Sequence, residues 1–142
     1  MAEITVVPAN VAASPASMVE RGILGVAANV GDWLYLDGAN GWKKALANAV
    51  ATADAKALLI GGGILGTAYP IGANVELCFY GLVEWGSGMT PGGLVYVSPD
   101  TAGKGDQTLT STSTEVPFIA GWAYSATQVF VAPQSAIGVA IV

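Results

Sequence analysis

Gly61-Gly62-Gly63-Ile64-Leu65-Gly66 fits the G-x-G-x-x-G pattern of a dinucleotide-binding turn and follows an apolar run over 57–60. The chemistry would be pyrophosphate binding at the N-terminus of the helix that such a turn opens. Thr67-Ala68-Tyr69-Pro70-Ile71-Gly72 comes next, and its proline and glycine cannot supply that helix. The glycines therefore read as a bend or a close backbone approach. Glu76 and Glu84 are a second candidate pair, because an even separation along a strand puts two carboxylates on one face, as hydrolysis of a glycosidic bond requires. Gly81 lies between them and can shift that register, and glutamates on the solvent side of a strand are ordinary surface residues. Asp100 and Asp106 flank Thr101-Ala102-Gly103-Lys104-Gly105, a loop with oxygen ligands for calcium. Its spacing departs from an EF-hand and Lys104 opposes a cation, so a polar hairpin loop is the simpler reading.

The chain has no histidine, so neither a Ser-His-Asp nor a Cys-His nucleophile can be assembled, and imidazole metal ligands are missing. No G-x-S-x-G elbow and no Walker sequence occurs. Cys78 is the single cysteine. Trp33, Trp42, Trp85 and Trp122 remain as binding candidates with Tyr35, Tyr69, Tyr80, Tyr96 and Tyr124, and a sugar-stacking platform is the form such rings would take. Trp33, Tyr35, Tyr96 and Trp122 lie in or beside aliphatic runs, where sheet packing is expected of them. The reading is a protein with no catalytic residue, no cofactor and no metal.

The elements that would position these residues follow from composition. The 142 residues suit one domain, long enough to bury a core without disulfides or a structural metal. Charged residues make up 11% against about 25% in soluble domains, and a surface so poor in charge is expected to be covered in an assembly. Arg21, Lys43, Lys44, Lys56 and Lys104 face ten acidic residues, which leaves a net charge of -5 and no basic stripe for phosphates. Nucleic-acid binding is excluded on that ground. The opening Met-Ala-Glu has no positive segment before an apolar run, so the product is expected to stay in the cytoplasm where it is made. The uncharged stretches 57–75 and 116–142 are broken by glycine, proline and polar residues, so they read as buried strands, not membrane spans.

Ile4-Thr5-Val6-Val7 is a short β-like run, and the following segment to Ser17 carries Pro8 and Pro15, which favour extended backbone. Residues 1–20 are expected to form an extended arm and 21–142 a β-rich body. The backbone groups of the arm need partners. Strand addition to another chain would supply them, with Ile4, Thr5, Val6, Val7, Val11 and Met18 as coat or inter-subunit contacts. An edge strand folded back on its own domain would serve equally. Beyond the arm, candidate strands cover 23–27, 33–37, 42–46, 57–65, 74–80, 82–85, 94–98, 107–112, 118–124, 128–132 and 137–142, separated by glycine-rich turns. Gly31-Asp32-Trp33-Leu34-Tyr35-Leu36 and Gly92-Gly93-Leu94-Val95-Tyr96-Val97 echo one another as hairpin strands. Residues 45–59 hold one short helix or an alanine-rich connection. The fold class is all-β, a β-sandwich or barrel body with an extended N-terminal arm and at most one short helix.

Several patterns coincide in order. Gly31-Asp32-Trp33-Leu34-Tyr35-Leu36-Asp37 with Gly41-Trp42-Lys43-Lys44-Ala45, then Gly81-Leu82-Val83-Glu84, Met89-Thr90-Pro91-Gly92-Gly93-Leu94-Val95-Tyr96-Val97-Ser98 and Ile119-Ala120-Gly121-Trp122-Ala123-Tyr124-Ser125-Ala126-Thr127, resemble the strand-and-turn segments of tailed-bacteriophage capsid decoration, or cement, proteins. The resemblance covers roughly residues 25–132. It departs where Trp122 and Tyr124 stand in place of smaller residues and where Trp85 follows Glu84. The resemblance implies a β-rich, homotrimeric virion protein on the outer capsid surface, assembled in the host cytoplasm, whose partners are the major capsid protein and its own copies. Its role would be to stabilise an icosahedral head by bridging neighbouring coat subunits. The alternative is a tail-fibre or baseplate module that binds host carbohydrate through exposed tryptophans.

Overall fold

The computed structural model describes residues 3–62, 67–108 and 116–134. Among them the chain is mostly strand: β1 (Ala12–Ala13), β2 (Met18–Ile23), β3 (Ala28–Asn29), β4 (Trp33–Leu36), β5 (Trp42–Lys44), β6 (Ala57–Gly61), β7 (Ala68–Tyr69), β8 (Asn74–Glu84), β9 (Leu94–Val97), β10 (Gly105–Asp106), β11 (Ile119–Ala123) and β12 (Gln128–Val131). Helical backbone is confined to α1 (Val50–Ala53) and single turns at Pro8–Asn10 and Gly38–Asn40. No helix among the described residues is long and apolar enough to cross a membrane.

One antiparallel sheet runs in the order β10-β9-β11-β12-β8-β6-β4-β5. It curls into a half-barrel, and a bridge from Leu24 to Trp42 brings the end of β2 against β5. β8 organises it. Its first half pairs with β2 and β6, and its second half with β12 and β1. β4, β6 and β8 each bury residues in two separate clusters: Trp33, Leu58 and Cys78 in one, Leu34, Leu59 and Leu77 in the other. Burial on both faces explains why these segments read as continuous apolar runs and not as alternations.

The first cluster is closed by the inward residues of the other strands: Val83, Val95, Val97, Ala123, Val129 and Val131, with Phe118 and Trp85. Trp33 and Trp85 meet edge to face at 5.4 Å, and the Trp85 indole N–H donates to the Gly31 carbonyl at 2.9 Å. That bond satisfies the one polar atom of a large buried ring. The second cluster fills the half-barrel with Leu24, Ala28, Val30, Val75 and the residues already named, and Trp42 and Phe79 close its mouth edge to face at 5.7 Å.

Residues 3–17 lie against their own body. The Ile4 N–H donates to the Gly105 carbonyl at 2.8 Å, Glu3 and Thr5 bridge Asp106 and Ser87, and β1 pairs with the end of β8. Fold-back on the same chain, the second of the two arrangements open to such an arm, is the one present here. It covers the free edge of β10.

Several expected elements are corrected. Residues 23–27 are not a strand: β2 ends at Ile23, and the chain bends where Gly25 packs against the Asn40 carbonyl. The expected strands 74–80 and 82–85 are one, because Gly81, at φ 134, carries β8 through a backbone conformation closed to other residues. Residues 45–59 do hold the one short helix expected there, at Val50–Ala53, and Ala45 and Ala47 stay outside it because their N–H groups go to the carbonyls of Trp33 and Ser98. Of the strand expected over 107–112, Gln107 and Thr108 are bends just after the short strand Gly105–Asp106, and residues 109–112, like the strand expected at 137–142, lie outside the described residues.

Gly121 sits where β11 and β12 approach closely. A Cβ there would collide with the Phe130 carbonyl oxygen on the neighbouring strand. Gly121→Ala is therefore expected to lower stability by roughly 1–3 kcal/mol, the range for forced overpacking, read as a lower urea midpoint at unchanged slope. An unchanged midpoint would mean that the two strands can separate at no cost.

Candidate functional site

The register of β9, β11, β12 and the second half of β8 aligns one row of side chains across four strands: Leu94 on β9, Trp122 on β11, Phe130 on β12 and Leu82 on β8. Val95, Ala123, Val129 and Val83 alternate with them and occupy the first core, so the row points away from it. Tyr80 joins the row edge to face on Phe130 at 5.1 Å. Trp122 and Phe130 lie nearly parallel, 21° apart with centroids at 5.4 Å, and Tyr124 sits 6.0 Å beyond Trp122. Trp122 is 37% exposed, Tyr80 44% and Tyr124 57%. Trp122 was expected among sheet-packing residues; the structure turns it outward, because its neighbours Gly121 and Ala123 take the inward positions. Trp33 and Trp85 are core, and Trp42 is half-buried.

Polar residues border this row. Glu84 and Gln128 face each other across β8 and β12. A cavity of about 250 Å³ is lined by Ala12, Ala13, Ser14, Leu82, Glu84 and Gln128. A second, of about 170 Å³, is lined by Thr5, Val7, Asn10, Glu84, Ser87 and Thr127 among others. Glu84 belongs to both. Ser125 Oγ–H donates to the Gln128 side-chain oxygen at 3.2 Å, which leaves the Gln128 amide hydrogens outward.

The arm residues divide by role. Ile4, Val6 and Val11 pack against the first core, Thr5 and Val7 line the smaller cavity, and Met18 is exposed beside Tyr80. Glu76 and Glu84 do not share a face. β2 skips Phe79 between the partners of Val19 and Met18, and this bulge inverts the alternation along β8. Glu76 therefore points with Cys78, which occupies the first core, whereas Glu84 alternates with Val83, which occupies the same core. The two carboxylates emerge on opposite sides of the sheet and cannot flank one glycosidic bond.

Asp106 is buried with one oxygen bound by the Thr108 N–H at 2.8 Å, while Asp100 is exposed and its own N–H goes to Ser98. No group of three or more acidic or thiol side chains that could hold a metal gathers among the described residues. Of the glycine pattern 61–66, Gly62 is pressed against the Tyr69 ring, and residues 63–66 lie outside the described residues. Cys78 is buried, and desolvation raises its thiol above the usual value. Asp32 is the buried carboxylate that sequence reasoning missed. It accepts the Asn29 N–H at 2.9 Å and lies 3.8 Å from the Lys104 ammonium. Desolvation raises its pKa above 3.8, against the opposing pull of the Asn29 N–H, Lys104 and Lys44.

No protein-family model, no curated protein and no solved structure matches the chain.

Two outcomes follow from this geometry. Acrylamide should quench the fluorescence of Trp122 far more than that of Trp33 and Trp85, so Trp122→Phe should remove most of the quenchable emission. Equal quenching in that variant would place the exposed indole elsewhere. Asp32 binds its proton more tightly folded than unfolded, so its contribution to stability is full below 3.8 and is lost as pH rises through its folded value. Relative to Asp32→Asn, which does not titrate, the native chain should lose stability over that rise, measured by urea unfolding at stepped pH. A difference that stays flat would show that Lys104 and Asn29 fully offset the burial of Asp32.

Proposed function

We propose that this chain is a structural protein of a bacteriophage virion, which decorates the head and stabilises it by bridging neighbouring coat subunits, itself as a homotrimer. The observation that carries the reading is β2. It pairs with β8 along one edge, and no described strand pairs along the other apart from the Leu24 bridge just past its end. Its large apolar residues Met18, Val19 and Ile23 are all exposed. A strand edge with apolar side chains turned to solvent is a template for another chain. Arg21, within the same strand, is held to the Asn74 side-chain and backbone oxygens and the Gly62 carbonyl, so its charge lies down along the body.

Two further features favour the reading. The segments that resemble decoration proteins fall on the sheet: residues 33–36 and 42–44 are β4 and β5, and the later segments are β8, β9 and β11. The low charge content suits a protein whose surface is covered. The mechanism is apolar burial, about 25 cal/mol per Å² at each contact, multiplied by simultaneous docking on several subunits. The arm serves the fold first, since deleting residues 2–18 would strip Ile4, Val6 and Val11 from the core.

Gold-labelled antibody against this chain is expected to mark the heads of the phage particles that encode it, and light scattering of the purified protein to give three times the chain mass. Val19→Lys with Ile23→Lys should release the chain from sedimented heads while leaving it folded. Label confined to tails would overturn the reading in favour of a fibre or baseplate module, and undiminished sedimentation of the double variant would remove β2 as the docking edge.

A further inference from the structure

We propose that the outward face of β8, β12 and β11 binds a neutral glycan, with Trp122 and Tyr124 as the stacking platform and Glu84 and Gln128 as ligands for its hydroxyl groups. The site adjoins the docking edge only at Met18, beside Tyr80. Val19 and Ile23 pair with Cys78 and Asn74 on the first half of β8, whereas Tyr80, Leu82 and Glu84 emerge on the other side after the bulge.

Four aromatic rings touch in series, Tyr80 to Phe130 to Trp122 to Tyr124, and three of them keep more than a third of their surface in water. Rings so exposed add little to the core. Phe130 stacks on Trp122, 21° from parallel, and holds the indole in place, and a fixed, solvent-exposed ring suits the C–H face of a pyranose, which is flat and apolar while its rim carries hydroxyls. The rim then needs acceptors and donors close to the ring. Glu84 supplies a carboxylate with no hydrogen bond to any described residue, Gln128 supplies amide hydrogens, and the cavities on either side of Glu84 add Ser87, Thr127, Thr5 and Asn10. Few convergent polar groups beside an apolar platform is the composition of a small-ligand site.

Charge selects among ligands that stack on aromatic rings. Nucleobases stack as well, but their phosphates need cations. No lysine or arginine lines either cavity, and Lys43, Lys56 and Lys104 are paired with Asp37, Asp54 and Asp32 elsewhere. Glu84 would repel phosphate, sulfate and sialic acid alike. A neutral sugar meets no such penalty. Among the described residues no second carboxylate shares the face of Glu84, so the proposed site binds the glycan and does not cleave it.

The test applies the purified full-length chain to an array of neutral, sialylated and sulfated oligosaccharides with single-stranded DNA alongside, followed by calorimetry with the best neutral oligosaccharide. Binding confined to neutral sugars is expected. Trp122→Ala should weaken it about tenfold, the loss expected for one stacking ring, and Glu84→Gln should weaken it too, although Glu84 plays no part in packing. Leu36→Ala, on β4, should leave affinity unchanged. Absence of binding to every neutral sugar, binding only to the acidic ligands or DNA, or full affinity in both Trp122→Ala and Glu84→Gln would each overturn the proposal. None of these outcomes bears on gold labelling of heads, because the array uses the isolated chain.

Discussion

β8 has to serve two hydrophobic cores with eleven residues, and a twisted strand cannot keep one set of alternate side chains on the same core over that length. The bulge at Phe79 and the positive φ of Gly81 resolve the conflict. Before them the odd-numbered residues Val75 and Leu77 fill the half-barrel; after them the odd-numbered Val83 enters the other core. Every neighbour depends on that switch. β6 and β2 accompany the first half, β12 and β1 the second, and the Ser14 N–H and Ser17 Oγ–H both bind the Leu82 carbonyl just past the switch, which fixes the end of the N-terminal segment there.

The same switch separates the two surfaces on which the proposals rest. It turns Tyr80, Leu82 and Glu84 outward beside Phe130 and Trp122, and it leaves Val19 and Ile23 on the opposite side. One sheet thereby holds an apolar edge, the proposed docking strand, and an aromatic, polar-rimmed face, the proposed glycan site, which meet only where Met18 lies beside Tyr80. Separating Glu76 from Glu84 is a further consequence, and it removes the carboxylate pair that their even spacing had offered for hydrolysis. The buried Trp33 and Trp85 do the opposite work: they anchor the first core, and the Trp85 bond to Gly31 ties the turn before β4 to the end of β8.

Local chemistry in the sequence by itself determined the all-β class, the hairpin strands after Gly31-Asp32 and Gly92-Gly93, and the pairing needs of the N-terminal segment. It also ruled out histidine-based catalysis, since composition and nearest-neighbour pattern are enough for these. Alternation could not distinguish Trp122 from Trp33, because both lie in strands among aliphatic residues. Only the tertiary structure decided which core each strand face meets, that the arm closes on its own body, and that Glu76 and Glu84 part. Those outcomes rest on one bulged residue in β8 and on contacts between segments far apart in the chain, and a parity change of a single residue leaves no mark in local sequence while it reverses every side chain that follows.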